Sequence, residues 1–158
     1  LADFMALVAP TINSYTRLVP GLWAPISNSW GIDNRTCALR VIPGSPSSQR
    51  VEYRLGSADS NPYLCMAAAL ASGLWGIENK VEPGPPLHGN SYQNRTNGLE
   101  DLPQTLQDSV KKFKKSSPAR LYLGSDFVDH YSATREWEVA EYRRQVTDWQ
   151  MNRYFEII

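Results

Sequence analysis

The sequence predicts a mixed α/β (α+β) chain in which antiparallel strands pack against helices and the C-terminal half is helical. Three observations carry this. Thr36 to Ile42 and Gln49 to Leu55 are short runs with β-branched or aromatic residues, joined by the turn-forming stretch Pro43-Gly44-Ser45-Pro46-Ser47-Ser48. A long apolar stretch follows Pro62, and apolar residues at helical spacing recur beyond Leu102.

In chain order, Leu1 to Val8 has apolar residues at 1, 4, 5, 7 and 8, a helical face ended by Pro10. The two runs 36–42 and 49–55 read as a hairpin. Asp59-Ser60-Asn61-Pro62 opens a helix with a capping side chain and a proline in its first turn. That helix, to about Glu78, is hydrophobic nearly all round, which predicts burial. Glu82-Pro83-Gly84-Pro85-Pro86 must be extended, and a polar loop expected to be mobile runs from about His88 to Asp101. Leu102, Leu106, Val110 and Phe113 mark an amphipathic helix, and Asp126 to Arg144 another. Thr147-Asp148-Trp149-Gln150 is a capping box for a short last one.

The 158 residues carry 16 Lys+Arg against 16 Asp+Glu, so no net field steers the surface toward nucleic acid or an anionic membrane. The cluster Lys111, Lys112, Lys114 and Lys115 reads as a solvated helix end. The run from Tyr63 to Ile77, broken by Ser72 and Gly73, falls short of the ~20 strongly apolar residues of a bilayer span. Cys37 and Cys65 are too few for a disulfide framework and lack metal-ligand spacing, which fits a reduced, cytoplasmic setting. His88 and His130 have no second His or Cys nearby and read as loop or surface residues. The triplets Asn34-Arg35-Thr36 and Asn94-Arg95-Thr96 fit the glycosylation pattern but carry no signal for secretion. A start at Leu1, without Met or a leader, is expected for the interior of a longer protein.

The chemistry concentrates in the first 60 residues. In Arg50-Val51-Glu52-Tyr53-Arg54-Leu55 a period of 2 puts Val51, Tyr53 and Leu55 on one side and Arg50, Glu52 and Arg54 on the other. Residues on that charged face lie roughly 6.6 Å apart, which suits separate contacts better than one compact ion pair. Arg40 and Arg35 add two guanidinium groups, whose planar forks grip carboxylates and phosphates. Either the face is a solvated one whose charges neutralise one another, or it takes an anionic ligand, with Glu52 as an oxygen donor to a divalent cation.

Asn13-Ser14-Tyr15-Thr16-Arg17-Leu18-Val19-Pro20-Gly21, Ala24-Pro25, Asp33-Asn34-Arg35, the Arg40 strand, Arg50 to Arg54, Asn61-Pro62-Tyr63-Leu64 and Gly76-Ile77-Glu78-Asn79-Lys80 occur in that order. Together they resemble the C-terminal half of the catalytic domain of glutamine synthetases, which identifies residues 1–158 as such a half with the preceding domain and half-domain absent. The resemblance implies a ring-shaped homo-oligomer that phosphorylates the glutamate γ-carboxylate with ATP and Mg²⁺ or Mn²⁺, then couples it to ammonia or an amine. By motif, Arg17 and Arg54 match glutamate contacts. Arg35 matches the catalytic arginine at the transferred phosphoryl group, Arg40 and Arg50 match nucleotide-phosphate contacts, and Glu52 matches a metal ligand.

Two departures from the family pattern stand out. Trp23 occupies the place of a flap glutamate that helps deprotonate ammonium, and Trp cannot act as a base. Either Trp23 only packs the flap, or it lines a pocket for a substituted amine, as in the branch of γ-glutamylmethylamide and γ-glutamylpolyamine synthetases. Ser47 stands where many members carry a lysine. Tyr92 falls where some relatives are adenylylated, without a close match around it. The chain by itself is expected to be inactive, and a non-enzymatic structural relative is the competing reading.

Overall fold

The computed structural model describes residues 1–94 and 99–157. Arg95 and Thr96 of the triplet Asn94-Arg95-Thr96, and residues 95–98 of the loop 88–101 as a whole, therefore lie outside the described residues. The core is organised around the N-terminal segment. A 3-10 turn at Ala2–Phe4 runs into α1 (Met5–Val8), and Phe4, Met5, Leu7 and Val8 are all buried, as this short segment is enclosed on every side. Around it pack Leu18, Leu55, Leu102 and residues of three helices, α3 (Leu106–Lys115), α4 (Ser117–Leu123) and α5 (Ser125–Arg143). Phe113 of α3 meets Tyr131 of α5 edge-on at 5.9 Å, and the Tyr131 hydroxyl donates to the Ala6 carbonyl at 3.0 Å.

The hairpin forms as expected. β2 (Leu39–Ile42) and β3 (Arg50–Tyr53) pair antiparallel with Arg40 opposite Glu52. A third strand, β1 (Trp30–Ile32), adds to β2 in parallel, so the sheet is not purely antiparallel. Three residues including a glycine gave no period to recognise. The close approach explains that glycine: a Cβ on Gly31 would lie 2.7 Å from the Leu87 carbonyl oxygen and 2.9 Å from the Asn34 Cβ. The Pro-rich segment runs beside β1, with the Trp30 indole donating to the Gly84 carbonyl and the Leu87 amide to the Trp30 carbonyl. Tyr53 and Leu55 reach the core, whereas Val51 stays exposed because the hairpin projects past it.

α2 (Pro62–Glu78) starts where expected, its first turn capped by the Asn61 side chain, which accepts from the Tyr63 and Leu64 amides. Its expected burial is not found. Only Ala68 and Ala71 are buried, while Tyr63 is 77% and Ile77 75% exposed, with Met66, Leu70 and Leu74 also open. One face packs on α1 and α4, and no described residue covers the other. The next helix begins at Leu106 rather than Leu102, which is buried in an extended stretch whose amide donates to the Ile26 carbonyl. α4 was not foreseen, since seven residues between two longer helices carry too short a pattern. α6 (Asp148–Tyr154) has the expected capping box of Thr147 and Gln150. Three of the four lysines of α3 are paired with acids: Lys111 with Asp108, Lys112 with Glu100, Lys114 with Glu136. No helix among the described residues is long and apolar enough to cross a membrane.

Candidate functional site

The sheet register gathers the charged face. Glu52 lies between Arg40, at 3.3 Å, and Arg54, at 3.1 Å, and Arg40 is also paired with Asp33. The hydrogen bond from Arg54, followed by that from Arg40, holds the Glu52 carboxyl below the ordinary carboxylate range. Hydrogen bonding to Asp33 raises Arg40 in turn. The expected separate contacts are thus replaced by one network, because long guanidinium side chains on neighbouring strands reach the same carboxylate. Arg50 lies outside it, exposed at the turn end of β3 and donating to the Ser48 carbonyl at 3.1 Å.

Arg17 comes from the segment after the 3-10 turn Asn13–Tyr15. Asp59 anchors that segment, taking hydrogen bonds from Thr11 at 2.5 Å and Ser14 at 3.0 Å. The Arg17 guanidinium donates to the carbonyls of Leu55, at 2.6 Å, and Gly56, at 3.1 Å. Burial, and then the neighbouring Arg54, lower its pKa. Both Arg17 and Arg54 keep a buried Nε with no protein partner. A buried donor left unmatched costs about 1–3 kcal/mol, so the pair favours an acceptor between or beside them. An anionic carboxylate fits that demand in charge and in hydrogen-bonding character.

Arg35 is exposed and has no ion pair among the described residues. It lines a cleft of about 340 Å³ together with Trp23, Ile32, Asn34, His88 and Asn90. Trp23 stands 65% exposed with φ 56°, in the left-handed region that bulky residues rarely enter. Its carbonyl accepts from Arg54 at 2.9 Å, and the next carbonyl, of Ala24, accepts from the Tyr92 hydroxyl at 2.8 Å. His130 on α5 and His88 in its loop are both exposed, as expected, and His88 also borders the cleft.

Three contributors escaped the sequence reading. Asp33 appeared only as part of a motif, Asn34 only as part of two motifs, and Tyr92 was set aside. Asn34 had a readable signal: Asx side chains close turns two residues ahead, and its Oδ1 accepts from the Thr36 amide at 3.0 Å. Tyr92 had none, since a contact 68 residues away leaves no local pattern.

The described residues contain no group of three or more His, Cys, Asp or Glu placed to hold a metal ion, and both Glu52 oxygens face guanidinium donors. They do not build a divalent-ion site. They do fit an anion: exposed Arg35 and Arg50 bear no carboxylate partner, and the Nε donors of Arg17 and Arg54 are unmet.

Residues 1–154 match the glutamine synthetase catalytic domain. The chain belongs to the glutamine synthetase family. It is 48% identical over 160 residues to the type-1 glutamine synthetase 2 of Dictyostelium discoideum, covering all of this chain and 30% of that protein. It is 40% identical over 156 residues to the glutamate–isopropylamine ligase of a Pseudomonas species, covering 99% of this chain and 34% of that enzyme. A solved structure of a GmaS/ADP complex superposes with a TM-score of 0.84 at 33% identity, over 98% of this chain and 36% of that one. The chain spans about a third of the length of these glutamine synthetase relatives.

Proposed function

We propose that this chain is the C-terminal half of the catalytic domain of an ATP-dependent ligase that joins the glutamate γ-carboxylate to ammonia or an amine. The observation that carries this is the Arg17 and Arg54 pair, each with an unmatched buried Nε, beside a cleft lined by an unpaired arginine. In this reading Arg17 and Arg54 hold a carboxylate of glutamate. A γ-carboxylate oxygen attacks the terminal phosphorus of ATP and ADP leaves. Arg35 neutralises charge on the phosphoryl oxygens as it builds. The amine nitrogen then attacks the carbonyl carbon of the γ-glutamyl phosphate, phosphate departs and the nitrogen loses its proton. Arg50 contacts nucleotide phosphate, and Arg40 reaches it by exchanging its bond to Asp33.

ATP is supported by the ADP in the name of the similar solved structure. Mg²⁺ or Mn²⁺ accompanies the nucleotide, with Glu52 as one oxygen donor at most. A homo-oligomer of the longer protein and a cytoplasmic setting belong to the same proposal, the latter supported by the free thiols Cys37 and Cys65. The acceptor is a substituted amine in the reading favoured by Trp23, whose exposed indole lines the cleft in place of an acid. The similarity to an isopropylamine ligase supports it too.

The deciding experiment is ADP release by the full-length protein with glutamate, ATP and Mg²⁺, comparing ammonium, methylamine, ethanolamine and putrescine at matched free-amine concentration. Preference for one alkylamine is the expected result. Preference for ammonium makes it a glutamine synthetase with a rebuilt flap, and turnover with none overturns the proposal in favour of a structural relative.

A further inference from the structure

The left-handed Trp23 turn is held from two sides. A non-glycine residue at φ 56° costs on the order of 1–3 kcal/mol and persists only where its surroundings over-determine it. Gly21, two residues earlier, is also left-handed, at φ 93°, so the turn is coiled tightly, and Leu22 and Trp23 are both exposed. What fixes it is a pair of consecutive carbonyls. Arg54 donates to Trp23 O at 2.9 Å and Tyr92 donates to Ala24 O at 2.8 Å.

Tyr92 is itself anchored to the residues flanking Arg35. Buried Ser91 exchanges two hydrogen bonds with Thr36, its amide donating to Thr36 Oγ1 at 3.0 Å and its hydroxyl to Thr36 O at 2.8 Å. Asn34 ties the same loop from the other side, donating to the carbonyls of Leu87, at 3.1 Å, and Gly89, at 2.8 Å. One hydrogen-bonded path therefore runs from the Arg35 turn through Thr36, Ser91 and Tyr92 to the Trp23 turn, around the cleft. Burial raises the Tyr92 phenol above its ordinary value, so it remains a protonated donor at neutral pH.

We propose that Tyr92 is a positioning residue for the acceptor side of the cleft: its hydroxyl latches the Trp23 turn over the Arg35 wall and so sets amine selection and keeps water from the acyl phosphate. This rests on the ligase reading above for its chemical consequence, but not for the latch. Release of the latch frees Ala24 O while leaving Arg17, Arg35 and Arg54 in place. Amine binding then weakens and the γ-glutamyl phosphate is lost to water, with ADP formed and no amide.

The test is Tyr92→Phe in the full-length protein, with Tyr63→Phe, a change at an exposed tyrosine on α2, as the control. The first readout needs no activity: chymotryptic cleavage at Leu22 or Trp23 should rise about three- to ten-fold in Y92F, the scale of one lost hydrogen bond, and stay unchanged in Y63F. The second is kinetic: KM for the amine should rise by a similar factor and ADP released should exceed amide formed, with KM for glutamate unchanged. Cleavage unchanged in Y92F overturns the latch. Faster cleavage with amine KM and the ADP-to-amide ratio unchanged overturns its role in selection. A wild-type protein with no turnover defeats the ligase reading, while the cleavage assay still decides the latch.

Discussion

Glu52 is the residue on which the charged face turns. Its carboxyl is held below the usual range by hydrogen bonds from Arg54 and Arg40, so it binds its proton more weakly folded than unfolded. Such a group stabilises the fold at pH above its unfolded value of about 4.3, and that contribution disappears as pH falls through the lower folded value. Glu52→Gln should therefore lower the thermal midpoint near neutral pH and match the wild type at about pH 2–3, as followed by circular dichroism. A midpoint difference that persists undiminished in acid would show that the network is not electrostatic in origin. At this scale the sequence was legible in part. A period of 2 placed Arg50, Glu52 and Arg54 on one face. That Arg40 stands opposite Glu52, and that Arg54 reaches the Trp23 carbonyl, depends on register and on chain returning from 31 residues away. Neither is written in a local pattern.

α2 and α3 show how differently two helices can use their apolar side chains. Phe113 of α3 is fully buried against Tyr131, and truncation to Ala leaves a cavity whose expected cost is about 3–5 kcal/mol. Leu70 of α2 is 67% exposed, and Leu70→Ser should change stability by less than about 0.5 kcal/mol while raising solubility. Urea unfolding of the two variants gives the comparison, and equal losses would refute the assignment of core and open face. The α3 stripe was readable because one apolar face opposes lysines. α2 misled for a physical reason: an all-round apolar helix reports the contacts of the molecule it evolved in, whereas the described residues supply a partner to one face alone. β1 and α4 were missed because their runs are too short to establish a period.

At the scale of the whole molecule, the distribution of charge sorts what this chain can hold from what it cannot. Opposite charges balance overall, yet most carboxylates of the described residues are dispersed along helices and loops, several of them paired with a single cation, as Asp129 is with Arg120 and Glu136 with Lys114. The cations around the cleft are concentrated instead, and Arg35 has no acidic partner there. A divalent ion needs several oxygen donors converging at once. Among the described residues Asp33 lines the cleft and Glu52 faces the arginines, both already held by guanidinium groups, and a cation binding Glu52 would have to displace two of them. The 158-residue chain should accordingly show no tight two-site binding of Mg²⁺ or Mn²⁺ in a calorimetric titration, whereas inorganic phosphate should compete for the free guanidinium groups and do so less well as salt is raised. Tight binding of two metal ions to this chain would require a carboxylate cluster that the described residues do not contain, and would place the metal chemistry on residues other than those gathered by the sheet.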